Sequence, residues 1–223
     1  MSDKSILFLS KEGDEHCKKA LEFIGGNFSF VSVHFGGWGD SLPENVSYWH
    51  GDYIISYLSR WILPEWLLER AKIAAINFHP ASPDYPGIGC NNFALYEGAK
   101  EYGVTCHHMV KKVDTGDIIT VKRFPIFPTD DVGSLLRRTY EYQLVLFHEI
   151  MEGILKNESL PFSKERWTRK PFTRKELDKL SVITSTMTKE EIKRRVRATS
   201  YGNFQPTIKI GDYIFELKIW GRR

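Results

Sequence analysis

Asn77 and His79 stand two residues apart in the stretch Ala75-Ile76-Asn77-Phe78-His79-Pro80-Ala81-Ser82-Pro83-Asp84-Tyr85-Pro86-Gly87. In an extended chain, side chains at that spacing project to the same face. The apolar run Ile73 to Ile76 predicts a short buried strand, and the proline-rich stretch after it cannot continue one. An amide and an imidazole therefore lie side by side at the carboxyl end of a strand, where open α/β sheets place their ligands. The amide can donate to a developing negative charge, and an imidazole with a pKa of about 6.5 can exchange a proton around neutrality. The alternative reading is that Asn77 caps a turn and His79 is an ordinary surface histidine.

A second stretch, Gly103-Val104-Thr105-Cys106-His107-His108-Met109-Val110, alternates as a strand and is followed by Lys111-Lys112-Val113-Asp114-Thr115-Gly116-Asp117. Thr105, His107 and Met109 share one face, and Val104, Cys106 and His108 the other. Adjacent histidines thus point in opposite directions, so Cys-His-His is not a metal cluster and no metal site is expected.

Together the two stretches resemble the folate-dependent formyltransferases, whose pattern is N-x-H, a Pro/Tyr/Gly loop, G-[VT]-[TS]-x-H-x-M and D-x-G. The resemblance implies a Rossmann-like, mostly parallel α/β sheet, formyl transfer from 10-formyltetrahydrofolate, and a catalytic trio of Asn77, His79 and Asp114 supported by His107. In this chain the loop after the histidine is one residue shorter than in the better known members. With Gly87-Ile88-Gly89-Cys90 behind it, that loop is most similar to the nucleotide-sugar N-formyltransferase branch. The branch implies a nucleotide-linked amino-dideoxy sugar as acceptor, most readily a dTDP sugar destined for lipopolysaccharide O-antigen, and a homodimer.

The segment Ser59-Arg60-Trp61-Ile62-Leu63-Pro64 ends just before the Asn77 strand, and Leu63 stands fourteen residues ahead of Asn77, as its family counterpart does. The resemblance places a pterin ring against Arg60, Trp61, Ile62, Leu63, Val110, Lys111 and Asp114. Main-chain donors and acceptors suit a pterin edge, and apolar side chains suit its faces. A plain strand-to-helix connection is the alternative. Candidate acceptor-binding residues are Ser82, Tyr85, Gly87, His107, Trp167 and Lys170, with Tyr85, Trp167 and Tyr201 able to stack on a base or cover a sugar.

The elements that must position these groups follow from periodicity. Ile6 to Leu9 predicts a buried first strand, and Asp14 to Ile24 a helix stopped by Gly25-Gly26. Ser10-Lys11-Glu12-Gly13 lacks a phosphate-cradling glycine turn, so neither a dinucleotide fingerprint nor a Walker loop is present. Phe28 to His34 and Asp52 to Leu58 predict strands, and Trp38 in its glycine-rich turn reads as a packing plug or as a cover for a ligand. Pro64 opens a helix running through Ala71, Asn91 to Lys100 predicts another, and Asp117 to Phe124 a strand. Thr129-Asp130-Asp131 announces a helix to about Lys156 with an apolar stripe of Leu135, Leu136, Val145, Leu146, Ile150, Met151 and Ile154. A polar linker, 157–175, wraps the domain, and capping boxes at Thr173/Glu176 and Thr188/Glu191 announce two short helices. Pro206 to Ile210 and Tyr213 to Trp220 predict a hairpin. This divides the chain into a catalytic domain, 1–156, and a C-terminal extension, 157–223.

At 223 residues, 42% apolar and 26% charged, the chain suits one α/β core plus a small appendage. No apolar run long enough for a membrane span and no secretory leader is found, and three cysteines without ligand spacing suit free thiols in the cytoplasm. The net charge of +3 hides an asymmetry: from Lys164 onward there are 16 Lys and Arg against 7 Asp and Glu, +9 against −6 for the remainder. A basic tail suits an anionic ligand such as a diphosphate, although a solvated face is the simpler reading. No aromatic-basic alternation supports nucleic-acid binding. A methionyl-tRNA enzyme would be expected to carry a second full domain, and a glycinamide ribonucleotide enzyme a glycine-rich phosphate loop.

Overall fold

The computed structural model describes residues 1–217. Ile6, Leu7, Phe8 and Leu9 are fully buried in β1 (Ser2–Lys11) because the strand is covered on both faces. β1 lies between β2 (Phe28–Gly36) and β3 (Gly51–Tyr57), and β3 pairs with β4 (Ala71–His79), all parallel. β5 (Glu101–His108) and β6 (Ile118–Pro125) extend the sheet antiparallel, in the order β2-β1-β3-β4-β5-β6. The mostly parallel α/β sheet implied by the sequence is present.

Alternate residues feed two cores, as the pleat dictates. Phe8, Ile55, Tyr57, Ile76 and Phe78 face α1 (Glu15–Asn27) and α4 (Val132–Leu155). Leu7, Leu9, Ile54 and Ala75 face a smaller cluster with Val46, Leu63 and Leu67. The ring of Phe147 on α4 lies 5.2 Å from Tyr57, 5.3 Å from Phe78, 6.1 Å from Phe23 and 6.4 Å from Phe8, which locks the helix to the sheet. Gln143 Nε2 donates to Phe78 O at the same face. These contacts hold the end of β4 still. Val145, expected in the apolar stripe, is 49% exposed, because it falls on the opposite side of the helix from Phe147.

Several boundaries differ from the sequence expectation. Gly25-Gly26 does not stop α1; the helix passes through them to Asn27, held by buried Ala20 and Ile24, and ends where Phe28 enters β2. The helix after Pro64 is only α2 (Glu65–Leu68), and Ala71 already belongs to β4. β4 is longer than its apolar run, and its Ile73 is 54% exposed. The third helix, α3 (Cys90–Glu97), ends at left-handed Gly98, ahead of the expected stop.

After α4 the chain runs without regular structure into α5 (Arg174–Ser181), β7 (Val182–Thr184) and α6 (Lys189–Thr199). Thr173 and Glu176 form the full capping box. At α6 only the Thr188 half forms, because the Glu191 carboxylate is taken by Tyr96 and Arg195. β8 (Thr207–Ile210) and β9 (Tyr213–Glu216) form the expected hairpin, to which β7 adds a parallel strand that was too short to read from the sequence. The expected continuation of β9 to Trp220 lies outside the described residues. Leu177, Leu180 and Ala198 join the main core, and Asn92 Nδ2 donates to Ala198 O at 2.6 Å, so α5 and α6 are packed onto the sheet domain through α3.

Replacing the central aromatic should show how much of the fold rests on it. Phe147→Ala is expected to cost about 3–5 kcal/mol in denaturant unfolding, as a lower midpoint with an unchanged slope.

Candidate active site

Asn77 and His79 occupy the last three residues of β4 and share one face. The antiparallel register with β5 sets Asn77 opposite His107 and His79 opposite Thr105. Cross-strand partners on one face touch, and Asn77 Nδ2 lies 3.1 Å from His107 Nε2. His107 Nδ1 donates to the His108 carbonyl at 2.8 Å, which leaves Nε2 to accept one of the two Asn77 amide protons. The other amide proton remains for a ligand. Thr105 faces the same way and ties its hydroxyl to Ala81 O at 2.7 Å, fixing the chain just past His79.

Asp114 arrives from the β5–β6 loop. Its φ of 49° is the left-handed region, rare for a residue with a Cβ and found where the surroundings enforce it. The carboxylate is buried and has three close polar neighbours. Oδ2 accepts the Gly87 N–H at 2.8 Å and lies 3.3 Å from His79 Nδ1, while Oδ1 lies 3.4 Å from His107 Nε2. Gly116 closes the loop because a Cβ there would sit 1.9 Å from His108 O. Gly87 is equally constrained, by a φ of 92° and by Phe172, whose backbone would lie 2.4 Å from an added Cβ.

Electrostatics divides the roles. Burial lowers the His79 pKa from its ordinary value; the Asp114 charge and the Tyr85 carbonyl oppose this, but burial prevails and the ring is neutral at neutral pH. Burial by itself would raise Asp114, yet His79, His107 and the Gly87 N–H outweigh it and hold the carboxyl at about 2. Cys90 Sγ lies 3.8 Å from His79 Nε2, but burial pushes its thiol up to about 12, so it stays protonated and inert. With Nδ1–H given to Asp114, Nε2 is the basic atom. The Tyr85 carbonyl, 3.2 Å away, is placed to accept from it once it is protonated.

These groups open into a cavity of about 740 Å³. Arg60, Trp61, Ile62 and Leu63 line one lobe with Val110, Lys111 and Asp114. Trp61 fits because Gly36 has no side chain; a Cβ there would lie 2.2 Å from the indole. Trp38 is not a packing plug: it is 66% exposed at the mouth of this lobe, with the Arg60 guanidinium 4.3 Å over its ring. Gly87 and His107 line the cavity, but four other candidates for acceptor binding do not. Ser82 is fully buried with its hydroxyl donating to Asp84. The Tyr85 ring is buried, its hydroxyl held by Glu97 at 3.1 Å, so only its backbone carbonyl serves the site. Lys170 is exposed to solvent. Trp167 lies against both histidines outside the cavity lining, with its indole N–H donating to Gly116 O at 2.8 Å. Instead, the second lobe is lined by Asn91, Phe172, Arg174, Tyr201 and Phe204. Apart from Tyr201, none of these is a sequence candidate, because most lie in the linker or the appendage; the aromatics among proline and arginine in 166–174 are the signal that points to them. Among the described residues no three His, Cys, Asp or Glu side chains are grouped to hold a metal, and no helix is long and apolar enough to cross a membrane.

Residues 40–150 match the family model for formyl transferase. The chain belongs to the formyl transferase family. A methionyl-tRNA formyltransferase from Latilactobacillus sakei is 40% identical over 105 residues, 47% of this chain and 33% of that protein. The chain spans 51% or less of the length of the first such relatives. Among solved structures, a 4-N formyltransferase from Francisella tularensis superposes with a TM-score of 0.77 at 16% identity, over 98% of this chain and 99% of that one. An N-formyltransferase from Helicobacter canadensis, solved with folinic acid and dTDP-3-aminofucose, gives 0.73 at 20% identity, over 95% and 85%. At such identities the likeness shows the fold. Asn77, His79, His107 and Asp114 all fall inside the formyl transferase match, whereas Phe172, Arg174 and Tyr201 lie beyond it.

The neutral state of the His79 ring can be checked by NMR. His79 should titrate below about 6.5. In Asp114→Asn it should titrate lower still, because the carboxylate is the charge that raises it. A titration at or above the ordinary value would contradict the burial argument.

Proposed function

We propose that the chain is an N-formyltransferase that moves a formyl group from 10-formyltetrahydrofolate to the amine of a nucleotide-linked amino-dideoxy sugar. The observation that carries this reading is the convergence of Asn77, His79 and Asp114 on one cavity, with His79 buried, neutral and held through Nδ1.

The donor lobe fits a reduced folate. Main-chain N–H and C=O groups of Ile62 and Leu63 have no protein partner among the described residues and can read a pterin edge, while Trp61 and Leu63 supply apolar faces. The bound folate supplies an activated formyl carbon. His79 Nε2 takes the proton from the acceptor amine as it attacks, and passes it to the nitrogen that departs. Asp114 and the Tyr85 carbonyl stabilise the imidazolium in between. The free Asn77 amide proton meets the formyl oxygen as charge gathers there, a contribution of about 3 to 4 kcal/mol at the barrier.

On the acceptor side, Phe172, Tyr201 and Phe204 offer aromatic surface and Arg174 a cation. Asn91 Nδ2, in the same lining, is a donor without a partner. A flat base, a diphosphate and a sugar hydroxyl would use these groups. The folds of the sugar N-formyltransferases, matched over most of both chains, support the assignment. Methionyl-tRNA is the second reading, favoured by the names of the sequence relatives.

Two measurements test the proposal. Asn77→Ala should lower turnover by about a hundredfold or more, and His79→Ala and Asp114→Ala should each be severe, with combined losses far from additive. Wild-type turnover in folded His79→Ala would remove the mechanism. An activity screen with 10-formyltetrahydrofolate should show formylation of one or more dTDP-, UDP- or GDP-linked 3-amino or 4-amino sugars. Formylation of methionyl-tRNA alone would overturn the acceptor and leave the chemistry standing.

A further inference from the structure

Residues 157–173 form no helix and little strand, yet they are sewn onto the site. Ser163 N–H donates to Ile118 O at the start of β6, and Thr168 N–H to Pro83 O in the loop after His79. Phe172 N–H donates to Pro86 O and Ile88 N–H to Phe172 O, both at 2.9 Å, in a pairing that the missing Gly87 side chain permits. In the middle of this strap is Trp167. Its ring meets His107 edge to face at 5.0 Å and 88°, and His79 at 5.8 Å and 72°. The two imidazoles cross each other at 6.4 Å and 73°, so the three rings pack mutually edge to face.

We propose that Trp167 is a positioning residue for the catalytic centre, setting the orientation of both imidazoles and the seat of the Asp114 loop from behind. Three observations point this way. His79 and His107 line the cavity and Trp167 does not, so the indole touches them from the side away from substrate. One indole contacts both rings, so it braces their relative tilt, and with it the distance from each to the Asp114 carboxylate. Its N–H binds Gly116 O, two residues after an Asp114 held at positive φ, a conformation that persists only where neighbours enforce it. The carboxylate is fixed from one side by Gly87 and its loop from the other by Trp167. The same ring keeps water from the back of His79, which sustains the buried, neutral base.

The consequence is that Trp167 supports the catalytic machinery although it touches neither substrate. Loss of the indole should act on turnover and on the state of the histidines, with binding of donor and acceptor little changed. A misplacement of the order of an ångström at a proton-transferring group costs up to about a hundredfold.

The test compares wild type with Trp167→Phe, which keeps a ring but loses the N–H to Gly116, and Trp167→Leu, which loses both. Folding is followed by circular dichroism, and the side chains by histidine NMR titration alongside steady-state kinetics. The proposal expects folded Trp167→Phe with kcat lowered by roughly tenfold to a hundredfold, both KM values within about threefold, and the His79 titration displaced from its wild-type position, upward where water reaches the ring and downward where the Asp114 charge withdraws. Unchanged kcat overturns it, as does a rise in KM with kcat intact, which would make Trp167 a substrate contact. A fall in kcat with an unmoved His79 titration also overturns it, by showing a merely structural role. Should Trp167→Leu fail to fold, Trp167→Phe decides. The kinetic arm rests on the proposed formyl transfer. Absence of that activity in wild type would sink that reading, and the histidine titrations would still decide the role of Trp167.

Discussion

The Asp114 carboxylate is the point on which the site depends. A buried, ionised carboxylate is tolerated only where donors replace its water, and here the Gly87 amide and the Nδ1–H of His79 do so, with the edge of His107 packed against the other oxygen. Each partner comes from a different part of the chain: His79 from the end of β4, His107 from β5, Gly87 from the loop between β4 and α3. The carboxylate therefore reports whether the sheet, the loop and the β5–β6 turn are all in place. Removing it would leave a buried imidazole without the charge that favours its protonated state, so one residue sustains the geometry and would sustain the proposed proton chemistry.

The need to bring three segments to one carboxylate explains the glycines around it. Gly116 lets the Asp114 turn close against His108, and Gly87 lets both Asp114 and the strap approach its backbone. A side chain at either would move the carboxylate by more than hydrogen bonds of this length allow. The antiparallel turn of the sheet at β5 is part of the same solution. On its other edge β4 meets the parallel β3, which sets Ser56 beside Asn77, while the antiparallel β5 sets His107 there.

The parts of the site that follow from local periodicity were legible in the sequence. Asn77 and His79 share a face because strands alternate, and His107 and His108 diverge for the same reason. Asp114 was legible only through its resemblance to a known motif, since a loop residue has no period to place it. The errors have a common physical origin. Gly25-Gly26 reads as a helix stop by propensity, but burial of one face outweighs a cost of about 1 kcal/mol per glycine. Tyr85 and Trp167 read as surfaces for a ligand, yet long-range contacts with Glu97 and Gly116 turn them into structural partners. The 157–175 linker reads as featureless because the hydrogen bonds that seat it, from Ser163 to Ile118, Thr168 to Pro83 and Phe172 to Pro86, reach distant residues, which no local pattern reveals. Trp38 erred in the other direction, since nothing in a glycine-rich turn predicts that its ring stays exposed beside Arg60.

The sequence relatives carry one acceptor in their names and the matched folds another, and the position of the residues along the chain explains how both can hold. The family match ends at residue 150 and contains every group proposed to handle the proton and the oxyanion. Those groups answer to the formyl carbon and the amine, which are the same whatever the amine belongs to, so similarity there carries little information about the rest of the acceptor. The lobe assigned to the acceptor draws Phe172, Arg174, Tyr201 and Phe204 from beyond that match. Specificity arises from contacts with the non-reacting part of the substrate, and in the proposed reading those contacts would come from the strap, the start of α5 and the segment after α6. The strap also carries Trp167, so the element proposed to meet the acceptor is covalently continuous with the one that seats the histidines. A change in acceptor preference made in 166–174 would have to preserve that packing, which restricts useful variation to side chains such as Arg174 that face the cavity without touching an imidazole.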